Sequence, residues 1–312
     1  MQLTSITVML KVSLFCRPQQ LPQGDVSLVA EAGRLADQAG LYAMHFGEHL
    51  LMGERPDRYP FGAFEHDPLT PWLDPLIALA SVAAVTERLR LSTGVLLGPL
   101  RSGVLLAKQL ASLDVLSHGR VEPGIGVGWQ PEEYEASGIA WSDRYRLLDL
   151  TLRSCRQLWA EQPTTLPSES GELDRVVALP RPVQERIPVL LGLRPTPRNI
   201  ARIVEYADGW CPVRLSPTDL AAGVADLRAA FAAAGRDPDS LIVRTQAPLI
   251  LDEDGRVDVE RTMQIAGPSV AAGATILAVG PTAGCRDMAD VASMIKRLAE
   301  IAERFDDRGG IA

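Results

Sequence analysis

The chain has 312 residues, of which 46% are hydrophobic and 22% charged, with a formal net charge of −8. That is the composition of a globular protein, and the acidic balance argues against nucleic acid or an anionic membrane as partner. The four cysteines (Cys16, Cys155, Cys211, Cys285) and four histidines (His45, His49, His66, His118) show no metal-binding spacing, so the thiols read as small buried hydrophobes in a reducing compartment.

The opening apolar stretch, ITVMLKVSLF, holds a lysine and lacks a basic start and a cleavage site, and no run approaches a membrane span. A cytoplasmic protein is expected. Short apolar runs predict strands at 5–12, 41–47, 89–97, 120–128, 187–193, 208–213, 241–250 and 274–280. Helical spacing falls between them, at 26–40 (closed by Gly40), 75–89 and 104–119, and Ser216-Pro217-Thr218-Asp219 reads as a capped helix start. Eight strands alternating with helices is the count of a (β/α)₈ barrel, here one domain over 1–312. The competitor is a doubly wound open sheet, but no GxGxxG opens a helix after the first strand.

Two stretches without a helical or strand pattern are long enough to carry function. Residues 50–71 follow the second strand, the end at which barrel active sites lie, and form a candidate substrate lid containing His66, with Trp72 just beyond it. Residues 162–186 precede the fifth strand and are long enough to fold back over the barrel mouth.

The segment 91–139, LSTGVLLGPLRSGVLLAKQLASLDVLSHGRVEPGIGVGWQPEEYEASGI, resembles the central part of the luciferase-like monooxygenase superfamily, in its branch using the deazaflavin coenzyme F420. FGEHL (46–50), IPVLLG with PTPRNIARIVEYADGW (187–210) and the last helix fit the same family in order. The resemblance implies a barrel with a flavin-like ring in its mouth, a small-molecule substrate and a homodimer. It implies F420 as cofactor and hydride transfer as the reaction. FMN with oxygen is the alternative, and a cofactor-free binding or partner subunit is a second.

The resemblance also places the site. His49, after Glu48 where the family commonly has aspartate, is the candidate acid or base; an imidazole exchanges protons near neutral pH. Gly94-Val95 falls where the family has a bulge with a non-prolyl cis peptide behind the ring. Gly124, Gly126 and Gly128, ending at Trp129, either strip one strand face bare for a planar ring or make room for a neighbouring core residue. Pro123 beside them suggests a bulge.

Gly192, Leu193, Arg194 and Thr196, with Pro197 at a helix start, form a candidate phosphate site. Arg101 is a second candidate cation for cofactor or substrate, and Arg198 a third. Gln130 closes the fourth strand. Glu132 and Glu133 suit the positive end of the helix that begins at Pro131, so a structural role suffices for them. Arg120 and Glu122 read as a structural pair or as charges in the barrel core.

Overall fold

The structure, a computed structural model, describes residues 10–60, 68–160, 162–168 and 171–305. The predicted strand at 5–12 therefore falls partly outside the described residues, as do His66 and the middle of the 50–71 loop. The strands are β1 (Lys11–Phe15), β2 (Ala43–Phe46), β3 (Arg90–Thr93), β4 (Leu96–Leu97), β5 (Val121–Glu122), β6 (Gly124–Gly126), β7 (Thr164–Ser168), β8 (Gly171–Val176), β9 (Leu190–Gly192), β10 (Gly209–Trp210), β11 (Ile242–Gln246) and β12 (Ile276–Val279). All but β7 and β8 pair in parallel.

The ring closes through two interrupted positions. The third predicted strand is split into β3 and β4 by Gly94–Val95, whose peptide is cis, and the fourth into β5 and β6 by Pro123. The lower halves pair with each other (β3 with β5) and so do the upper halves (β4 with β6). From β6 the ladder continues through β9, β10, β11 and β12 to β1, β2 and β3. That circuit is a (β/α)₈ barrel, as the alternation predicts.

The helices are α1 (Val29–Gln38), α2 (Pro75–Ala83), α3 (Gly103–Leu116), α4 (Pro131–Ala136), α5 (Arg144–Trp159), α6 (Pro197–Tyr206), α7 (Pro217–Ala233), α8 (Val259–Ala271) and α9 (Met288–Ala302). Local chemistry starts several of them. Asp74, Ser102, Thr196 and Ser216 each accept a backbone N–H from the first turn, and Pro75, Pro197 and Pro217 fill first helical positions. No described helix is long and apolar enough to cross a membrane.

Strand alternation divides two interiors. Val12, Leu14, Met44, Phe46, Leu91, Val121, Val243 and Leu277 join the apolar layer shared with the helices. Their neighbours Ser13, His45, Ser92, Glu122 and Arg244 are also buried, and this set is polar. Arg244 bridges to Ser92 Oγ and to the Thr93 carbonyl oxygen. Glu122 accepts from Tyr42 Oη at 2.7 Å and pairs with Arg90 at 3.3 Å. Arg120 is not its partner: its guanidinium donates to the carbonyls of Ala83, Thr86, Leu89 and Ser117, closing the C-terminal end of α2.

The 162–186 stretch is irregular only in part, and none of its described residues lines the cavity at the mouth. Its first part holds the antiparallel strand pair β7–β8, which packs on α5 through β7. The segment after it is held at the opposite end of the barrel, where Asp114 near the C-terminus of α3 accepts from the Val183 and Gln184 backbone nitrogens. The four cysteines are buried and free, as expected.

Asp37 fixes the entry to β3. Its carboxylate accepts from the backbone nitrogens of Glu87, Arg88 and Leu89 at 3.1, 2.9 and 2.6 Å. Burial pushes the carboxyl up, but those three donors and the Arg88 charge outweigh it and hold it below its ordinary value. A depressed carboxyl stabilises the fold above the ordinary carboxylate range, and that stability is lost as pH falls through the depressed value. Asp37→Asn should therefore cost about 1–3 kcal/mol at neutral pH. The gap to wild type should narrow on going down to about pH 3. Denaturant titrations at both pH values measure it, and an equal gap at both would contradict the linkage.

Candidate active site

A cavity of about 520 Å³ opens at the C-terminal ends of the strands. Its wall takes in residues just after β1 and β2, the Gly94–Val95 break, the segment after β6, and residues after β9 and β10. That is the face on which barrel active sites are built, and the volume suits a small-molecule or cofactor site.

The floor depends on Val95, and two glycines make its position possible. A Cβ built on Gly126 would lie 2.7 Å from Val95 Cγ2, and one on Gly192 would lie 2.7 Å from Val95 Cγ1. The side chain of Val95 therefore sits between two strands that have nothing to oppose it. Gly124 serves deeper in the barrel, where a Cβ would meet the Thr93 carbonyl oxygen at 2.3 Å and the Arg244 guanidinium at 2.5 Å.

Gly124 and Gly126 thus do not themselves line the cavity, and the reading of a bare strand face is corrected. They give space to Arg244 and to Val95, and Val95 presents itself to the cavity in their place. Gly128 does line it, with φ of +66° and no room for a Cβ beside Leu97. Gly94, Val95, Gly192, Leu193, Arg194, Trp129 and Trp72 also line it, as expected of a shared site.

His49 faces this cavity between two tryptophans. Its ring meets Trp72 edge-on at 4.7 Å and Trp129 at 5.9 Å. Behind it, Nδ1 lies 2.9 Å from Gln130 Nε2 and 3.3 Å from Glu133 Oε1. The Gln130 amide is oriented by its other bonds: Oε1 accepts from Gly53 N and Nε2 donates to the Leu51 carbonyl oxygen. Glu133 is fully buried, so it is more than a charge at a helix start.

Glu48 borders the cavity, but its carboxylate is engaged elsewhere. It takes two bonds from Arg101, at 2.9 and 2.5 Å, and one from Leu97 N at 2.6 Å. Arg101 also reaches Asp74 at 3.2 Å and is absent from the cavity wall, which corrects its expected place as a cofactor or substrate contact. The pair pins the end of β2 to β4. Thr196 is likewise outside the wall, where its hydroxyl caps α6, and Arg198 is exposed on the first turn of that helix.

The cations that do line the cavity are Arg17, Arg58, Arg144, Arg194 and Arg214. Only Arg194 among them is picked out by the sequence. Glu48 is the one carboxylate among the described lining residues, and Arg101 neutralises it. Tyr59, Trp141 and Tyr145 add aromatic surface. Aromatic walls, an apolar floor and five guanidinium groups, one of them (Arg58) paired with Glu132, fit a planar ring carrying an anionic tail.

A model of the luciferase-like monooxygenase family matches residues 9–308. An uncharacterized protein of Mycobacterium tuberculosis is 34% identical over 231 residues, which span 73% of this chain and 82% of that protein. Among solved structures, a monooxygenase from Streptomyces bottropensis superposes with a TM-score of 0.75 at 22% identity, over 93% of this chain and 98% of that one. An F420-dependent secondary alcohol dehydrogenase in complex with an F420-acetone adduct gives 0.73 at 15% identity, with the same two coverages. At these identities the structural likeness speaks for the fold.

The packing of Val95 provides a direct test of the floor. Gly126→Ala should destabilise the protein by about 1–3 kcal/mol, because the added methyl overpacks a filled site. Val95→Ala in the same chain should recover part of that loss, with a coupling of roughly 1 kcal/mol or more in a double-mutant cycle. Additive effects of the two substitutions in denaturant titrations would show that Val95 does not depend on the glycine.

Proposed function

The chain belongs to the luciferase-like monooxygenase family, and from that premise we propose that it is an oxidoreductase using coenzyme F420 on a small organic substrate. The observation that carries this reading is the cavity wall: five arginines and one already neutralised carboxylate among the described residues, around an aromatic slot. A deazaflavin with a long anionic tail makes use of both features.

When bound, the deazaflavin supplies hydride exchange at a ring carbon without activating oxygen. The protein's part is to hold, shield and protonate. Val95 gives the slot a firm apolar floor. Trp72 and Trp129 restrict water beside His49, which strengthens electrostatic interactions there. Arg17, Arg58, Arg144, Arg194 and Arg214 offset negative charge at the rim. His49 gives a proton to the substrate oxygen in reduction, or takes one in the opposite direction.

Parallel calorimetric titrations with F420, FMN and FAD test the cofactor, with F420 expected to bind tightest. Tight FMN binding with substrate-dependent oxygen uptake, and no affinity for F420, would place the protein among flavin monooxygenases. His49→Ala should lower turnover by about 10²–10⁴-fold. Cofactor affinity should stay within a few-fold of wild type. Turnover that is hardly changed by this substitution would remove His49 from the proton-transfer role.

A further inference from the structure

Two neighbouring helices are apolar on the side that faces away from the barrel. On α2 the buried residues Leu76, Leu79, Val82 and Ala83 meet the core, and the exposed ones, Ile77, Ala80, Ser81, Ala84 and Val85, fall three and four apart along the other side. A surface helix of a globular protein carries polar and charged residues there. α2 carries no charge, since no residue from Pro75 to Thr86 is ionisable. The Ser81 hydroxyl donates to the Ala78 carbonyl oxygen at 2.7 Å, so it is satisfied without water.

α3 packs beside α2 and continues the surface with Val104, Leu105 and Leu116. Ile77 is 74% exposed and Leu116 69%. Lys108 is the one charged residue from Gly103 to Leu113, and its ammonium is tied to the Leu179 carbonyl oxygen. At about 1.5 Å per residue and 8–10 Å between axes, the two helices present a strip roughly 20 Å wide and 15–20 Å long, about 300–400 Å². That is the size of the largest apolar patch on a typical monomer, and nearly half of the about 800 Å² per partner of a standard interface before any rim is counted. Glu87 and Arg88, exposed just beyond α2, begin such a polar rim.

The chemistry of the face selects its occupant. An anionic lipid surface needs a basic rim, and here one ammonium is tied down on a chain of net charge −8. A strongly charged partner finds no array of opposite charge to pair with. A second copy brings an equally apolar face and no carboxylate on these two stretches. The relief is also self-complementary. α2 offers a hollow of small side chains at Ala80, Ser81 and Ala84, and α3 a ridge of Val104, Leu105 and Leu116. A two-fold axis sets the ridge of each copy on the hollow of the other, so every contact is made twice.

We propose that the outer faces of α2 and α3 are the two-fold interface of a homodimer, forming one four-helix layer across the axis. These helices begin at Asp74 and Ser102, where Arg101 joins Asp74 to Glu48 at the end of β2. The interface therefore braces from outside the two helix starts that hold this network beside the cavity.

Size-exclusion chromatography with light scattering on the full chain tests it. At about 10 μM the wild type should have twice the 33.7 kDa mass of the chain, since standard interfaces hold at that concentration. Ala84→Glu and Leu105→Lys each put an unpaired charge into the joint, and each should weaken association by about 10²–10³-fold and give the monomer mass. Both positions are exposed within one chain, so circular dichroism should not change. Mixed in equal amounts, the two variants should regain the dimer mass, because the glutamate of one copy meets the lysine of the other. Ile265→Glu, exposed on α8, should stay dimeric. A wild-type monomer at about 100 μM, or a dimer that neither charge disturbs, would overturn the proposal. Should the charged variants not fold, thiol labelling decides. The four native cysteines are buried, so the introduced thiol of Ile77→Cys is the accessible one. At about 100 μM protein a maleimide should modify it at least about 10-fold more slowly than the thiol of Ile265→Cys, and faster on dilution. Equal rates at every dilution would overturn the interface. These readouts need no cofactor, so their outcome is separate from that of the cofactor titrations.

Discussion

The break between β3 and β4 is the constraint on which the site depends. A continuous third strand would alternate its side chains and send Val95 along the wall of the barrel. Instead the chain leaves the ladder at Gly94 and resumes at Leu96 with one residue more than its partner, so that Leu96 pairs with Ile125 rather than with Gly126. Three contacts hold the departure. Gly94 N donates to the Phe46 carbonyl oxygen at 2.6 Å, Arg244 donates to the Thr93 carbonyl oxygen at 2.6 Å, and the Thr93 hydroxyl donates to the Gly124 carbonyl oxygen at 2.6 Å. Each uses a backbone polar group that the interrupted ladder would otherwise leave unpaired, a loss of about 1–3 kcal/mol per buried group. These three bonds fix the geometry of the break from below.

Two buried carboxylates on either side of His49 meet their cost in different ways. Glu48 has a bidentate arginine and a backbone N–H, the arrangement that makes a buried ion pair tolerable. Removing one member of such a pair costs about 3–5 kcal/mol. Its task is mechanical, since it ties the end of β2 to the resumed strand β4 and so sets where His49 begins. Glu133 lacks an arginine and lies against the imidazole itself. The same residue type therefore sits in two environments, one beside a guanidinium and one beside an imidazole.

The barrel was legible in the sequence because its signal is periodic: short apolar runs alternate with amphipathic ones over most of the length. The positions of His49, Trp129, Val95 and Gly192 were legible through the family resemblance of 46–50, 91–139 and 187–210, not through periodicity. The glycine run left its occupant open in the sequence. Alternating glycines announce that something approaches a strand, but a sequence does not say whether the visitor is a ligand or the side chain of a neighbouring strand; for Gly126 it is Val95, and for Gly124 it is Arg244. Arg17 and Arg214 gave no signal, because a cation on a connecting segment belongs to no pattern, and Arg144 reads only as the first residue of a helix. The hairpin at β7–β8 was read as irregular because its strands are polar on an exposed edge. Glu133 has an adequate local explanation at a helix start, which conceals a burial that only the fold creates.

His45 and His49 show how the fold divides chemistry between two like residues four positions apart. His45 points into the polar lumen, stacked on Phe15 with ring centroids 4.8 Å apart, and its Nδ1 has no partner. Burial and the Arg244 charge hold its imidazole well below the ordinary value, so it stays neutral. Its role is steric: a Cβ on Gly94 would meet it at 2.6 Å, so it packs directly under the break. His49 lies past the end of β2, where the chain has left the ladder and the ring can be approached from the cavity and from α4 at once. Proton exchange needs both approaches, one for the reacting oxygen and one for the group that restores the ring. The lumen offers His45 neither, so of the two histidines it is His49 that meets the geometry the proposed proton exchange requires.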